Sequence, residues 1–204
     1  MGRGVYKRSK LLHDVGINDA DYVTQTYKIV GGKRKKEWTC KIYSTWVSML
    51  QRCYSIKRQS TQPTYKGCTV CDEWLTFSNF KAWMEKQDWQ NKALDKDLLK
   101  EGNKVYCPEY CLFVDRKINN FVTDRAADRG GYMLGVCWHK QHDKFYSQCC
   151  NPFTRKQEFL GLFTNELSAH LAWKKRKHEL ACQLADSEYC NNPRLAEALR
   201  TRYL

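Results

Sequence analysis

Apolar positions along the chain change their period, and the changes mark out its elements. From Lys41 the spacing is helical: Tyr43, Trp46, Met49, Leu50 and Cys53 fall on one face, with Arg52, Lys57 and Arg58 toward the far end. Ser60–Gly67 reads as a loop and Thr69–Cys71 as a short strand. A second helix is predicted from Thr76, burying Phe77, Phe80, Trp83 and Met84. The period then shortens. Leu94–Leu99 reads as a strand, Glu101-Gly102-Asn103 as a turn, and a return strand ends at Leu112-Phe113-Val114. A helix capped by Asp115 follows, with Ile118, Phe121 and Val122 on its apolar face.

After Asp124–Asp128, the glycine break Arg129-Gly130-Gly131 predicts a domain boundary. Three strand-like runs come next, Tyr132–His139, Lys144–Asn151 and Gln157–Phe163. Turns at Gln141-His142-Asp143 and Pro152-Phe153-Thr154 separate them. A helix with Thr164 as N-cap is predicted to run through Ala169, Trp173 and the basic stretch Lys174–Lys177 to Leu184, and a small amphipathic helix lies within Asp186–Leu204. The expected class is α+β: helical N-terminal support and a ββα core, then a three-stranded antiparallel sheet packed on one helix. The expected divisions are a basic arm over residues 1–40, the ββα domain with its helices over 41–128, the sheet-and-helix domain over 131–185, and a terminal helix over 186–204.

Charge sharpens this picture. The formal net charge is +13 over 204 residues, but it is uneven. Residues 1–60 hold 13 Lys/Arg against 4 Asp/Glu, residues 61–130 hold 11 against 11, and residues 131–204 hold 11 against 7. Two basic flanks around a neutral, carboxylate-bearing middle suit a protein that grips a polyanion, with nucleic acid the expected partner. Lys33-Arg34-Lys35-Lys36, after Gly31-Gly32, reads as an exposed turn or arm; such a run is a solvated loop or a phosphate track. No run of 18 apolar residues exists, so no membrane span is expected, and the opening MGRGVYKRSK lacks the apolar stretch of a secretory signal. Eleven cysteines without such a signal point to a reducing cytoplasm, with most of them free thiols packed as small apolar groups.

The chemistry concentrates in the middle. Leu94-Asp95-Lys96-Asp97 on the first strand and Asn119 and Asn120 on the following helix could converge oxygen ligands on one hard cation. Together with the return-strand sequence Tyr106-Cys107-Pro108-Glu109-Tyr110-Cys111, this segment resembles the ββα-metal core of HNH nucleases of the phage homing type. That resemblance implies Mg²⁺ or Mn²⁺ held by Asp95, Asn119 and Asn120. It also puts Lys96 where the family carries its general-base histidine, with Asp97 as the alternative source of the nucleophile; no histidine lies between His13 and His139. A lysine of ordinary pKa is a poor base at neutral pH. The pairs Cys68/Cys71 and Cys107/Cys111 could form a four-cysteine structural zinc site, as some HNH relatives carry, or could be free thiols packed beside Trp74 and Phe113.

Farther on, Gly135-Val136-Cys137-Trp138, Lys144-Phe145-Tyr146, Phe159–Phe163 and Glu166 to Trp173 are similar to the ethylene-responsive-factor type of DNA-binding domain. In that family a three-stranded sheet lies in the major groove. The candidates to face DNA are Trp138, Lys140, Lys144, Tyr146, Gln148, Arg155 and Lys156, of which strand alternation lets only about half point outward, with Trp138 a core alternative. The resemblances imply a metal-dependent DNA endonuclease of the homing or nicking kind. The alternatives are a catalytically inactive DNA-binding protein of the same folds, such as a phage regulatory or host-takeover factor, and a protein-interaction module such as an inhibitor of a host nuclease.

Overall fold

The structure, a computed structural model, describes residues 11–123 and 131–204. It is α+β: among the described residues there are six α-helices and four small sheets, one of them three-stranded and antiparallel. The chain divides into two units, one made of residues 1–90 and 94–113, the other of residues 91–93 and 114–204. This division falls ahead of the boundary expected near residue 130, and the predicted break Arg129-Gly130 lies outside the described residues.

In the first unit, α1 (Lys41–Tyr54) and α3 (Phe77–Met84) form where the helical spacing puts them. Between them α2 (Ile56–Thr61) adds a short, solvent-facing turn of helix, with Ser55 accepting from the Arg58 N–H. Tyr43, Trp46, Trp74, Phe77 and Phe80 are buried, and their rings meet edge-on or tilted. The Trp46 indole donates to the Trp74 carbonyl at 2.7 Å, so the largest side chain of α1 enters the core with its one polar atom satisfied. Residues 11–24 are part of this unit rather than a free arm. Leu12, Val15 and Ala20 pack on the core, and the Asp19 carboxylate caps α3 by accepting from the Ser78 N–H at 2.9 Å.

The cation run, expected as a turn or loop, is a strand. β1 (Gln25–Val30) and β2 (Lys33–Thr39) form an antiparallel ribbon turning at Gly31-Gly32, both of which have the positive φ that such a two-residue turn requires.

The predicted strand Leu94–Leu99 is shorter than its pattern. β4 covers only Ala93–Asp95, because the Asp95 carboxylate accepts from the N–H groups of Asp97 and Leu98 and bends the chain there. The return strand comes in two pieces. β5 (Val105–Tyr106) pairs in parallel with β3 (Thr69–Val70), and β6 (Leu112–Val114) pairs with β4.

In the second unit, α4 (Arg116–Val122) starts at Asp115, whose carboxylate accepts from the Lys117 N–H at 2.7 Å. It docks on the long helix α5 (Glu166–Ala185): the Lys177 ammonium donates to the Phe121 carbonyl at 2.6 Å and lies 3.6 Å from the Phe121 ring centroid. That docking is the reason the division precedes α4. Strands β7 (Val136–His139), β8 (Lys144–Cys150) and β9 (Gln157–Phe163) make the antiparallel sheet in the order β7-β8-β9, with a bulge after Ser147. Helix α5 starts at Asn165, one residue beyond the expected Thr164, because the Asn165 side-chain oxygen accepts from the Ser168 N–H. α6 (Pro193–Thr201), capped by Asn192, packs on α5 with Leu195 and Leu199 buried.

Candidate nucleic-acid interface and acidic turn

Sheet alternation sorts the expected DNA-facing residues into two sets. Val136, Ser147 and Cys149 are buried on the face toward α5, and Glu158 on the same face bonds Arg176 of that helix. Trp138 belongs to this face. It stands opposite Phe145, ring centroids 4.8 Å apart, and so is corrected from DNA-facing candidate to packing residue. Lys144, Tyr146 and Gln148 take the other face, with His139 and Cys137 beside them from β7. Phe159 (67% exposed) and Leu162 border them from β9, so this face is uncovered among the described residues.

Cations stand at both ends of the face. Lys140 is exposed in the β7–β8 turn, and Arg155 and Lys156 are exposed in the β8–β9 loop. That loop is built by Asn151, which sequence reasoning did not single out. Its side-chain oxygen accepts from the N–H groups of Phe153 and Thr154, its backbone carbonyl accepts from the Arg155 N–H, and its amide donates to Glu158 at 2.7 Å. Glu158 in turn accepts from Arg176 Nε at 2.7 Å. Arg176 and Asn151 together hold the Glu158 carboxyl below the usual carboxylate range. The turn is the one expected at Pro152-Phe153-Thr154, and the Asn-Pro pair at 151–152 is the signal that could have pointed to Asn151.

The acidic turn lies in the first unit. Asp95 is half-buried, and its Oδ1 accepts from the N–H of Asp97 at 2.9 Å and of Leu98 at 2.7 Å. Burial pushes its carboxyl above the ordinary range; the two N–H donors and Lys96 pull it back, while Asp97 adds to the rise. Lys96, only 4% exposed, sends its ammonium to the Asn103 carbonyl at 2.7 Å and to the Asp97 carboxylate. Asn103 returns two bonds at 2.8 Å, to the carbonyls of Lys96 and Val105. The residue expected at the general-base position is thus the inner member of a stapled loop. Asn119 and Asn120 belong to the second unit, on α4, where Asn119 is half-buried and Asn120 exposed.

Among the described residues, no group of three or more His, Cys, Asp or Glu gathers to hold a metal ion. Asp95 is a donor of the type Mg²⁺ or Mn²⁺ takes, one carboxylate to be completed by amide oxygens and water. The zinc set does not assemble in the same way. Cys71 neighbours Cys107, and Cys107 neighbours Cys111, whereas Cys68 neighbours Cys53. Burial, with Cys68 beside it, pushes the Cys53 thiol up to about 12, and burial raises Cys71 and Cys111 also, which favours the neutral thiol over the thiolate a zinc ion needs. All eleven cysteines are free.

Asp95→Asn keeps the acceptor for both N–H groups and removes the half-buried charge, so a higher unfolding midpoint at neutral pH is expected. Because the folded carboxyl is raised, the folded chain binds more protons than the unfolded chain just above the ordinary carboxylate range. Stability from this group therefore falls as pH rises through that window, and Asp95→Asn flattens the fall. Thermal unfolding across pH checks it; a midpoint below wild type at neutral pH would show that the charge itself holds the turn.

Comparison with known proteins finds no matching family model, no matching curated protein and no matching solved structure. No helix among the described residues is long and apolar enough to cross a membrane.

Proposed function

We propose that the protein binds double-stranded DNA. The observation that carries this reading is the sheet β7–β9, backed by α5 on one face and open on the other, with Lys144, Tyr146 and Gln148 on the open face and Lys140, Arg155 and Lys156 at its ends. A sheet of this kind can lay polar side chains against base edges while its end loops reach the phosphates. The excess of cations supplies the long-range attraction. Fluorescence anisotropy with a random-sequence duplex across a salt titration tests it. Replacing Lys140, Lys144 and Lys156 together by alanine is expected to weaken binding and reduce the salt slope by about 0.9 for each phosphate that is no longer neutralised. A wild-type chain that leaves the duplex unbound at low salt would sink the reading.

A second reading, cleavage of that DNA by an HNH-type centre, is favoured by Asp95. Its carboxylate is held at a cost to the fold, at the end of β4, in a strand–strand–helix order with β6 and α4. Asp95, its shell completed by water, would hold Mg²⁺ or Mn²⁺, which would supply Lewis-acid polarisation of the scissile phosphate. The Lys96 ammonium is engaged by the Asp97 carboxylate and the Asn103 carbonyl, which leaves the half-exposed Asp97 as the freer of the two to face water. Supercoiled plasmid incubated with Mg²⁺, Mn²⁺ or EDTA, beside Asp95→Ala, tests this reading. Metal-dependent nicking that disappears in the variant supports it; intact plasmid that is still bound leaves a DNA-binding protein without cleavage.

A further inference from the structure

The β1–β2 ribbon breaks the rules by which an isolated hairpin holds together. A two-stranded ribbon is marginal alone in water, and like charges directly opposite each other weaken it further. Here Lys28 stands opposite Lys35, and Lys33 and Lys35 share a face with Lys28. The opposite face carries Tyr27, Ile29, Arg34 and Lys36, with the Arg34 guanidinium 3.8 Å from the Tyr27 ring centroid, while the bulge at Glu37 brings Trp38 opposite Thr26 on the Lys28 face. Among the described residues both strands are largely uncovered: Ile29 is 71% and Trp38 51% exposed.

The ribbon holds one acid, Glu37 of β2, against the five cations Lys28, Lys33, Arg34, Lys35 and Lys36. Residues 22–36 contain no Asp or Glu, and among the described residues no ion pair includes Lys28 or any of Lys33 to Lys36. The ribbon is nevertheless anchored to the domain, because the Cys40 N–H donates to the Thr24 carbonyl at 2.8 Å at its base, next to the first residue of α1. An anchored ribbon with an excess of cations on both faces, two of them directly opposed and none in an ion pair among the described residues, is locally frustrated in a way that a row of phosphates would relieve.

We propose that β1–β2 is a duplex-gripping arm whose ligand is the phosphate backbone of double-stranded DNA. This rests on the DNA-binding reading above and adds to it a second element, in the other unit of the chain. A two-stranded ribbon is of a size the major groove admits, and lysines on both faces can reach the phosphates that flank it. Arg34, stacked on Tyr27, presents its guanidinium on one face, and Trp38 on the lysine face adds apolar surface that can meet sugar and base edges. The grip is expected to be strong, salt-dependent and sequence-tolerant, since phosphates position a protein without specifying a sequence.

The test uses the full chain with Lys28→Gln, Lys33→Gln and Lys35→Gln combined. Removing the facing like charges should leave the unfolding midpoint unchanged or higher, while affinity for a random-sequence duplex falls about tenfold or more at low salt and the salt slope shrinks by about 2 to 3. If folding suffers instead, the single variant Lys35→Gln, which relieves one opposed pair, carries the same comparison. Wild-type affinity and slope in these variants would overturn the arm; continued weakening by the sheet substitutions would then leave the DNA-binding reading intact. Wild-type chain that fails to bind the duplex would overturn both. Unchanged duplex binding, with loss of binding to phosphatidylserine vesicles in the variant, would overturn the proposal in favour of an anionic membrane surface.

Discussion

Gly135→Ala is expected to destabilise the second unit by about 3 kcal/mol or more, enough to unfold a marginal domain. Gly135 sits just before β7 with φ +75, a conformation that costs a residue with a Cβ roughly 1–2 kcal/mol. The larger cost is steric. An alanine Cβ would lie 2.0 Å from Trp173 Cγ and 2.6 Å from Trp173 Cβ, so the base of the α5 side chain is in the way rather than a flexible tip. Trp173 is itself held, stacked on His170 at 5.4 Å and edge-on to Tyr203 of the C-terminal turn at 6.0 Å. Making room would therefore separate α5 from the sheet and disturb the seat of α6. Gly102→Ala is the control: φ is +72 there, but nothing lies within 4 Å of the added Cβ, so only the backbone cost remains. Denaturant unfolding of both variants separates the two costs. Equal losses would mean that Trp173 moves freely, and that the close approach of sheet and helix contributes nothing.

That close approach also shows where the sequence could be read and where it could not. Gly135 and Trp173 lie on elements with clear periods, and the strands β7–β9 and helices α1, α3 and α5 form close to their expected bounds because a pattern of two or 3.6 is local. The ribbon β1–β2 has no such pattern. With both faces exposed, cations and apolar residues need not alternate, and four consecutive cations read as loop. At Leu94-Asp95-Lys96-Asp97-Leu98 the reverse holds. Alternating burial at Leu94, Lys96 and Leu98 continues past the end of β4, although the backbone has already bent around the Asp95 carboxylate. Turn chemistry there overrides a strand period, and the partner of β5 is β3, a pairing across more than thirty residues that no local pattern encodes. In the candidate sites, alternation alone left Trp138 open between two faces; the register with Phe145 decides it. Lys96 is the least legible residue, since lysine is rarely buried and its partner Asn103 carries no signal beyond a turn.

Lys96→Ala is accordingly expected to cost on the order of 2–4 kcal/mol, from a buried carbonyl left without its donor and the lost packing of the stem, since the half-exposed Asp97 regains water. The ammonium satisfies the Asn103 carbonyl and the Asp97 carboxylate, and the Asn103 amide closes the loop back onto the carbonyls of Lys96 and Val105. Alanine would leave the Asn103 carbonyl without its donor and open a cavity in place of the buried stem, whose ammonium lies 5.8 Å from the Tyr106 ring centroid. Lys96→Met fills that volume without the charge. It should lose roughly 1–3 kcal/mol, because the Asn103 carbonyl remains unsatisfied but the stem's packing is kept. The comparison decides what position 96 is for. A large loss for alanine and a smaller one for methionine, with faster hydrogen exchange at Val105 in both, makes Lys96 the staple of the 96–103 loop. A chain that tolerates both substitutions would instead leave the ammonium free for chemistry beside Asp95, and plasmid cleavage that falls with Lys96→Met at unchanged stability would then assign it a part in the reaction.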